Sequence, residues 1–130
     1  MRVAYVDTDC AQVVHHGTYF RYLEIARVEY WRKLGFDYAA FEKRTGLGLP
    51  VVEVRVRYRI SARFDDELEI ETWLSKASRA SIWLDALIRR GDEVLNESSV
   101  RLACANFADG TIRKIPSEVL DACLEPGHGV

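Results

Sequence analysis

The chain is poor in features that would tie it to several common protein classes. Its 130 residues include three cysteines, three prolines and one methionine. Cys10, Cys104 and Cys123 are scattered and odd in number, with none of the short-spaced pairs that a zinc site or disulfide framework needs. No metal is therefore expected. No apolar run approaches the roughly 20 residues of a membrane span. The N-terminus lacks the basic-then-apolar pattern of a secretion signal, which makes the cytoplasm the expected compartment. Net charge is only −2, so no basic field points to nucleic acid or an anionic membrane. Repeats, low-complexity segments and linkers are missing too, and residues 1–130 read as one domain.

What is present is concentrated near the start. Tyr5-Val-Asp7-Thr-Asp9-Cys10-Ala-Gln12-Val-Val-His15-His16-Gly17-Thr-Tyr19 places two carboxylates and two imidazoles before a long apolar-rich helix. A helix start carries unpaired N–H groups and about half a unit of positive charge, which can stabilise an oxyanion. Carboxylate, imidazole and helix start are together the parts needed to attack and polarise a carbonyl. Cys10 could act as a thiol nucleophile, but a small residue beside a more important neighbour is the preferred reading. Asp7, two residues before Asp9, is read as a structural residue. It is expected to fix the loop or pair with an arginine.

Met1–Val6 reads as a short strand. From Gly17 to Leu34 the spacing of Phe20, Leu23, Tyr30, Trp31 and Leu34 is helical, and Gly35 is a natural stop. Tyr19, Tyr22, Ile25, Ala26 and Val28 fill other faces, so other structure should wrap this helix. Glu24 and Arg27, three apart, are expected to form an ion pair. Asp37–Thr45 is a second short helix. After Pro50 the period becomes two. Val52, Val54, Val56 and Tyr58 should share a buried face, followed by strands around Leu68–Leu74 and Ile82–Ile88. Arg90-Gly-Asp-Glu93 marks a tight hairpin, Val94 to Phe107 a long last strand, and Pro116-Ser-Glu118 a short C-terminal helix. The economical arrangement is α+β, a curved antiparallel sheet of about five strands around the long helix. Trp73 and Trp83 on the outer sheet face suggest a subunit interface.

The motif Tyr5-x-Asp-Thr-Asp9, with Val13-Val14-His15-His16-x-x-Tyr19 and Tyr22-Leu-Glu24-x-Ala-Arg27, resembles the signature of hotdog-fold acyl-CoA thioesterases. It is most similar to the branch of 4-hydroxybenzoyl-CoA thioesterase and the Tol–Pal-associated thioesterases. A second match is Tyr58-x-x-x-Ala62-Arg63-x-Asp-Asp66-x-Leu-Glu-Ile70. The resemblance covers nearly the whole chain and implies a hotdog fold. It implies that Asp9 is the catalytic carboxylate and that the His16 N–H donates to the thioester carbonyl, with Tyr5 also implicated. The His16 imidazole would orient water or donate to the leaving sulfur. His15 is read as a packing or surface residue. For Tyr5, positioning the site and ordinary strand packing both stay open. Lys76, Arg79 and Arg63 are candidates for the coenzyme A phosphates, against the alternative of solvated charges or, for Arg63, pairing with Asp65 or Asp66. Gln12 stands where the family usually has Gly, and Ser61 where it usually has Pro.

The expected activity is hydrolysis of acyl-CoA to free acid and CoA without a cofactor, with Asp9 as nucleophile or general base. The expected assembly is a homo-oligomer, a dimer or tetramer, with the site between subunits. Alternatives are an acyl carrier protein thioesterase, a non-catalytic acyl-CoA binding protein favoured by Gln12, and a dehydratase that would rely on Glu24.

Overall fold

In a computed structural model, which describes residues 1–124, the helical spacing after Gly17 becomes helix α1, Thr18–Lys33. It stops at Gly35, which takes φ 75, a left-handed conformation open to glycine. Helix α2 is Tyr38–Thr45. Its N-cap Asp37 accepts the Ala40 N–H at 3.0 Å, satisfying one of the donors a helix start leaves over. Helix α3, Ser117–Leu124, follows Pro116.

Among the described residues, seven strands run in two antiparallel sheets. The larger has the order β2-β5-β4-β3, where β2 is Val51–Tyr58, β3 Glu69–Ala77, β4 Ile82–Arg90 and β5 Glu93–Leu102. The smaller has the order β1-β6-β7, with β1 Leu47–Gly48, β6 Cys104–Asn106 and β7 Ile112–Arg113. Alternation along β4 buries Ile82, Leu84, Ala86 and Ile88 on one face. The α1 residues Trp31, Tyr22 and Leu23 pack in the same two apolar clusters as these side chains, so α1 lies on that face. One cluster gathers Trp31, Phe41, Leu49 and Ile115; the other, with Val14, Tyr19, Ala62 and Leu95, supports the N-terminal loop.

Several expectations are corrected. The sheet of about five strands is a four-stranded sheet with a three-stranded one beside it. Met1–Val6 is not a strand. It makes one bridge, Arg2 to Glu67, and then turns into a 3-10 segment at Tyr5–Asp7. Thr8 drives that turn, its hydroxyl and N–H both donating to the Tyr5 carbonyl. The long last strand breaks at Ala103, whose N–H turns to the Pro50 carbonyl, so β5 and β6 join different sheets. On β2 Val56 is half-buried against the core, whereas Val52, Val54 and Tyr58 are exposed. The cause is position, because β2 is an edge strand paired with β5 alone. On the outer sheet face Trp73 is exposed, whereas Trp83 is part-buried beneath the guanidinium groups of Arg55 and Arg101, at 5.1 and 5.8 Å.

Candidate active site

The loop from Tyr5 to Gly17 sends its two aspartates to opposite sides. Asp7 is only 7% exposed and accepts hydrogen bonds from the Tyr22 hydroxyl at 2.8 Å and from Arg21 at 2.5 Å. Burial pushes its carboxyl up. The bonds from Tyr22 and Arg21, with the Arg21 charge, outweigh burial and hold it below the usual carboxylate value. The Tyr22 hydroxyl is raised in turn, by burial and by its bond to Asp7.

Asp9 is exposed. One carboxylate oxygen accepts the Ala11 N–H at 2.8 Å, and the other has no partner among the described residues. The Asp9 backbone closes the turn, its N–H reaching the Val13 carbonyl and its carbonyl accepting from Gln12. Gln12 holds φ 65, so the left-handed turn is made although a side chain stands there. Bridges from Thr8 to Val14 and from Val13 to Arg63 fasten the loop on both sides.

The start of α1 is capped in an unusual way. Gly17 is the N-cap and offers no side chain, and its own N–H is taken by Nδ1 of His15 at 3.2 Å. The carbonyls of His15 and His16 accept the first helical N–H groups, from Thr18 and Tyr19. The His15 N–H donates to the Asp7 carbonyl. Among the described residues, the His16 N–H donates to nothing. The His16 ring stacks on Tyr58 with centroids 4.3 Å apart and planes 16° from parallel. An unspent N–H at the positive end of a helix, in the same loop as an exposed carboxylate, can hold a developing oxyanion while that carboxylate acts on the attached carbon.

Residues 11–97 match the family described as the thioesterase superfamily. This chain belongs to that superfamily. It is 32% identical over 119 residues to the acyl-CoA thioesterase YbgC of Haemophilus influenzae, covering 92% of this chain and 88% of the relative. It is 30% identical over 121 residues to the acyl-CoA thioester hydrolase YbgC of Escherichia coli O6:H1, covering 92% and 90%. The crystal structure of a DHNA-CoA thioesterase from Staphylococcus aureus superposes with a TM-score of 0.90 at 27% identity, over 98% of this chain and 88% of that one.

Not every expected site residue of this thioesterase gathers at the Asp9 loop. Tyr5 is in the loop but 75% exposed, with its ring edge-on to Phe64 at 5.6 Å and, among the described residues, no hydrogen bond or ring pair to Asp9 or His16. Arg63 is beside the loop through its bridge to Val13, and its guanidinium is exposed and unpaired among the described residues. Its backbone N–H, not its side chain, meets Asp66, whose side-chain partner is Arg90 at 2.6 Å.

Lys76 and Arg79 lie elsewhere. Tyr58 pairs through Asn96 with Ile88, while Lys76 stands on β3 opposite Trp83 and Arg79 lies in the hairpin turn beyond Ile82. Six residues of strand at about 3.3 Å each put that hairpin roughly 20 Å from the Tyr58 end within one subunit. Arg79 is also committed, donating to the Ile115 carbonyl at 2.7 Å.

The expected Glu24–Arg27 ion pair is not made. Both side chains instead line a cleft of about 680 Å³ with Val28, Trp31, Phe36 and Tyr38. Burial lowers the Arg27 guanidinium from its ordinary value, with nearby Glu24 partly opposing. The cleft does not touch Asp9 or His16; Arg27 is about 15 Å along the helix axis from His16. Among the described residues, no cluster of three or more His, Cys, Asp or Glu side chains is placed to hold a metal.

Two residues escaped sequence reasoning. Arg21 binds Asp7, and no local spacing rule links positions 14 apart across a turn. Tyr58 meets His16 across 42 residues; in sequence it heads the second motif, but nothing there ties it to the His16 turn.

Proposed function

We propose that this chain hydrolyses acyl-CoA thioesters, with Asp9 as the reacting carboxylate and the His16 N–H as the oxyanion donor. The observation that carries this reading is that, among the described residues, the His16 N–H at the head of α1 and one Asp9 oxygen in the same loop have no partner. Asp9 either adds to the thioester carbonyl carbon or takes a proton from a water that does so. In the first route the C–S bond breaks, CoA leaves as thiolate and takes up a proton, and water then cleaves the acyl–Asp9 anhydride. In the second route the acid forms directly. Thiolate is a good leaving group, so no strong acid is called for, and the His16 imidazole is free to orient water. Removing one oxyanion donor costs roughly 3–4 kcal/mol in other enzymes, which sets the scale of the His16 N–H contribution.

Within the superfamily, the Tyr5 to Arg27 motif favours the branch of 4-hydroxybenzoyl-CoA thioesterase and the Tol–Pal-associated thioesterases. The YbgC names of two relatives accord with acyl-CoA as substrate, and that substrate makes the cytoplasm the place of action. Gln12 no longer favours a non-catalytic binding module, because it adopts the turn that Gly would make.

The assembly we propose is a dimer built on the open edge of β2. Val51, Val52, Val54 and Tyr58 along that edge are exposed, as are Phe20 and Val28 on α1. An unpaired apolar edge invites strand pairing with a second copy. Antiparallel pairing about the middle of β2 would bring the Val51 end of one strand to the Tyr58 end of the other. The Arg27–Trp31 cleft and the Lys76 hairpin of one subunit would then lie at the same end of the dimer as the other's His16 turn. The cleft would receive the acyl group, and Lys76, Arg79 and Arg63 would compete for the CoA phosphates. Two dimers joined through the outer face around Trp73 would make a tetramer.

A panel of acyl-CoA esters of varied length and aromaticity, scored by free-thiol release, tests the activity, with acyl carrier protein esters as the competing donors. Wild-type turnover by Asp9→Asn on every ester accepted would refute the assignment. Replacing Glu24 separates the dehydratase reading, because that change alone would then abolish activity. Single-turnover reaction in ¹⁸O water distinguishes the routes, since label enters Asp9 only through the anhydride. Light scattering that finds an active monomer of 14.9 kDa would remove the dimer.

A further inference from the structure

We propose that Tyr58 is the positioning residue of the oxyanion turn, reaching from the edge strand β2 to hold His16 by both its carbonyl and its ring. The proposal rests on the reading of Asp9 and His16 given above. The Tyr58 hydroxyl donates to the His16 carbonyl at 3.2 Å, and its ring lies flat against the His16 imidazole at 4.3 Å. Residue 16 has three groups that can be anchored: carbonyl, side chain and N–H. Tyr58 engages the first two, and the third is the donor that must stay free for substrate. A residue fixed at its carbonyl and ring has little freedom left in the torsions that aim its N–H. Catalysis by a fixed dipole depends on such aim being set before reaction.

Tyr58 is itself held. Its ring packs at 5.5 Å against Tyr19, whose hydroxyl accepts the Ala62 N–H at 2.9 Å, and its backbone pairs with Asn96 in the sheet. The anchor therefore runs from the sheet through Tyr58 to the loop. Helix capping cannot replace it, because the N-cap is Gly17 and the His15 imidazole is already spent on the Gly17 N–H. Burial raises the Tyr58 hydroxyl above its ordinary value, so it remains a donor across the neutral range.

The test compares Tyr58→Phe, which keeps the stack and loses the hydroxyl, with Tyr58→Leu, which loses both. The substrate is whichever ester of the acyl-CoA panel the wild type cleaves best. Turnover should fall by about tenfold for Phe, the worth of one net hydrogen bond, and about 100-fold for Leu. KM should stay within about twofold of wild type, because an aiming defect weakens the transition state more than substrate binding. Melting temperature and mass by light scattering, measured on each variant, should match wild type for Tyr58→Phe. A Tyr58→Phe enzyme with wild-type kcat overturns the proposal, as does a loss confined to KM or one that follows loss of fold or assembly. Asp9→Asn, assayed alongside, separates the two levels. If Asp9→Asn is inactive while Tyr58→Phe is unaffected, only the role of Tyr58 falls; if Asp9→Asn turns over normally, the reading of the site falls with it.

Discussion

Asp7 and Asp9 stand two positions apart on one loop, and the two sides of that loop act as different solvents. On the inner side Asp7 is buried and its oxygens are taken by Arg21 and Tyr22. On the outer side Asp9 is exposed and, among the described residues, keeps one oxygen uncommitted. Identical functional groups thus divide into a buried anchor and an exposed carboxylate, and the 3-10 turn at Tyr5–Asp7, not strand alternation, separates them. The inner carboxylate fixes the loop that presents the outer one.

The largest effect that would sharpen this comparison is the activity loss of Asp9→Asn. Turnover should fall by at least roughly 10³-fold while thermal stability stays within about 0.5 kcal/mol of wild type. The mirror experiment is Asp7→Asn, which leaves the Arg21 charge without its partner. Unfolding free energy, measured in urea, should drop by about 2 kcal/mol, below the usual range for a buried pair because Arg21 is half exposed. Folded Asp7→Asn enzyme should retain most of its turnover, and the comparison breaks if stability is untouched and activity vanishes.

pH gives a third handle. The Asp7 carboxyl is held below its ordinary value of 3.8 in the folded protein, so the folded state binds this proton less readily than the unfolded chain. The contribution of Asp7 to stability is therefore complete above about pH 4 and is lost as pH falls through the folded value. Melting temperature followed downward from pH 5 should decline less steeply in Asp7→Asn than in wild type. Asp66, also lowered despite burial, by the Arg63 N–H and by Arg90, keeps a residual slope in both proteins. The smallest expected effect is Gln12→Gly. Relief of the left-handed backbone should stabilise the fold by about 0.5–1 kcal/mol in urea titration, without changing kcat.

Local rules carried the reading far in some places and failed in others for clear reasons. The span of α1, its stop at Gly35, the second short helix and the Arg90–Glu93 hairpin are set by residues within a few positions of each other, and they lie where expected. Asp7 pairs with an arginine as expected, but the 3-10 turn, not strand alternation, turns it inward. Alternation along β2 identified which side chains share a face, but not that the strand would be an edge with little beyond it. The two-sheet arrangement depends on Ala103 turning to Pro50 across 53 positions, which no window of sequence contains. Lys76 and Arg79 looked suited to phosphate by residue type, yet strand length carries them away from the Asp9 loop in one subunit.

Sequence alone determined the chemical parts: a carboxylate, a glycine-opened helix start and an apolar helix long enough to organise a sheet around it. Only the tertiary structure decided their roles, because burial, edge position and the Tyr58–His16 contact arise from residues distant in the chain. The free energy of a side chain depends on what surrounds it in space, and the fold alone supplies those surroundings.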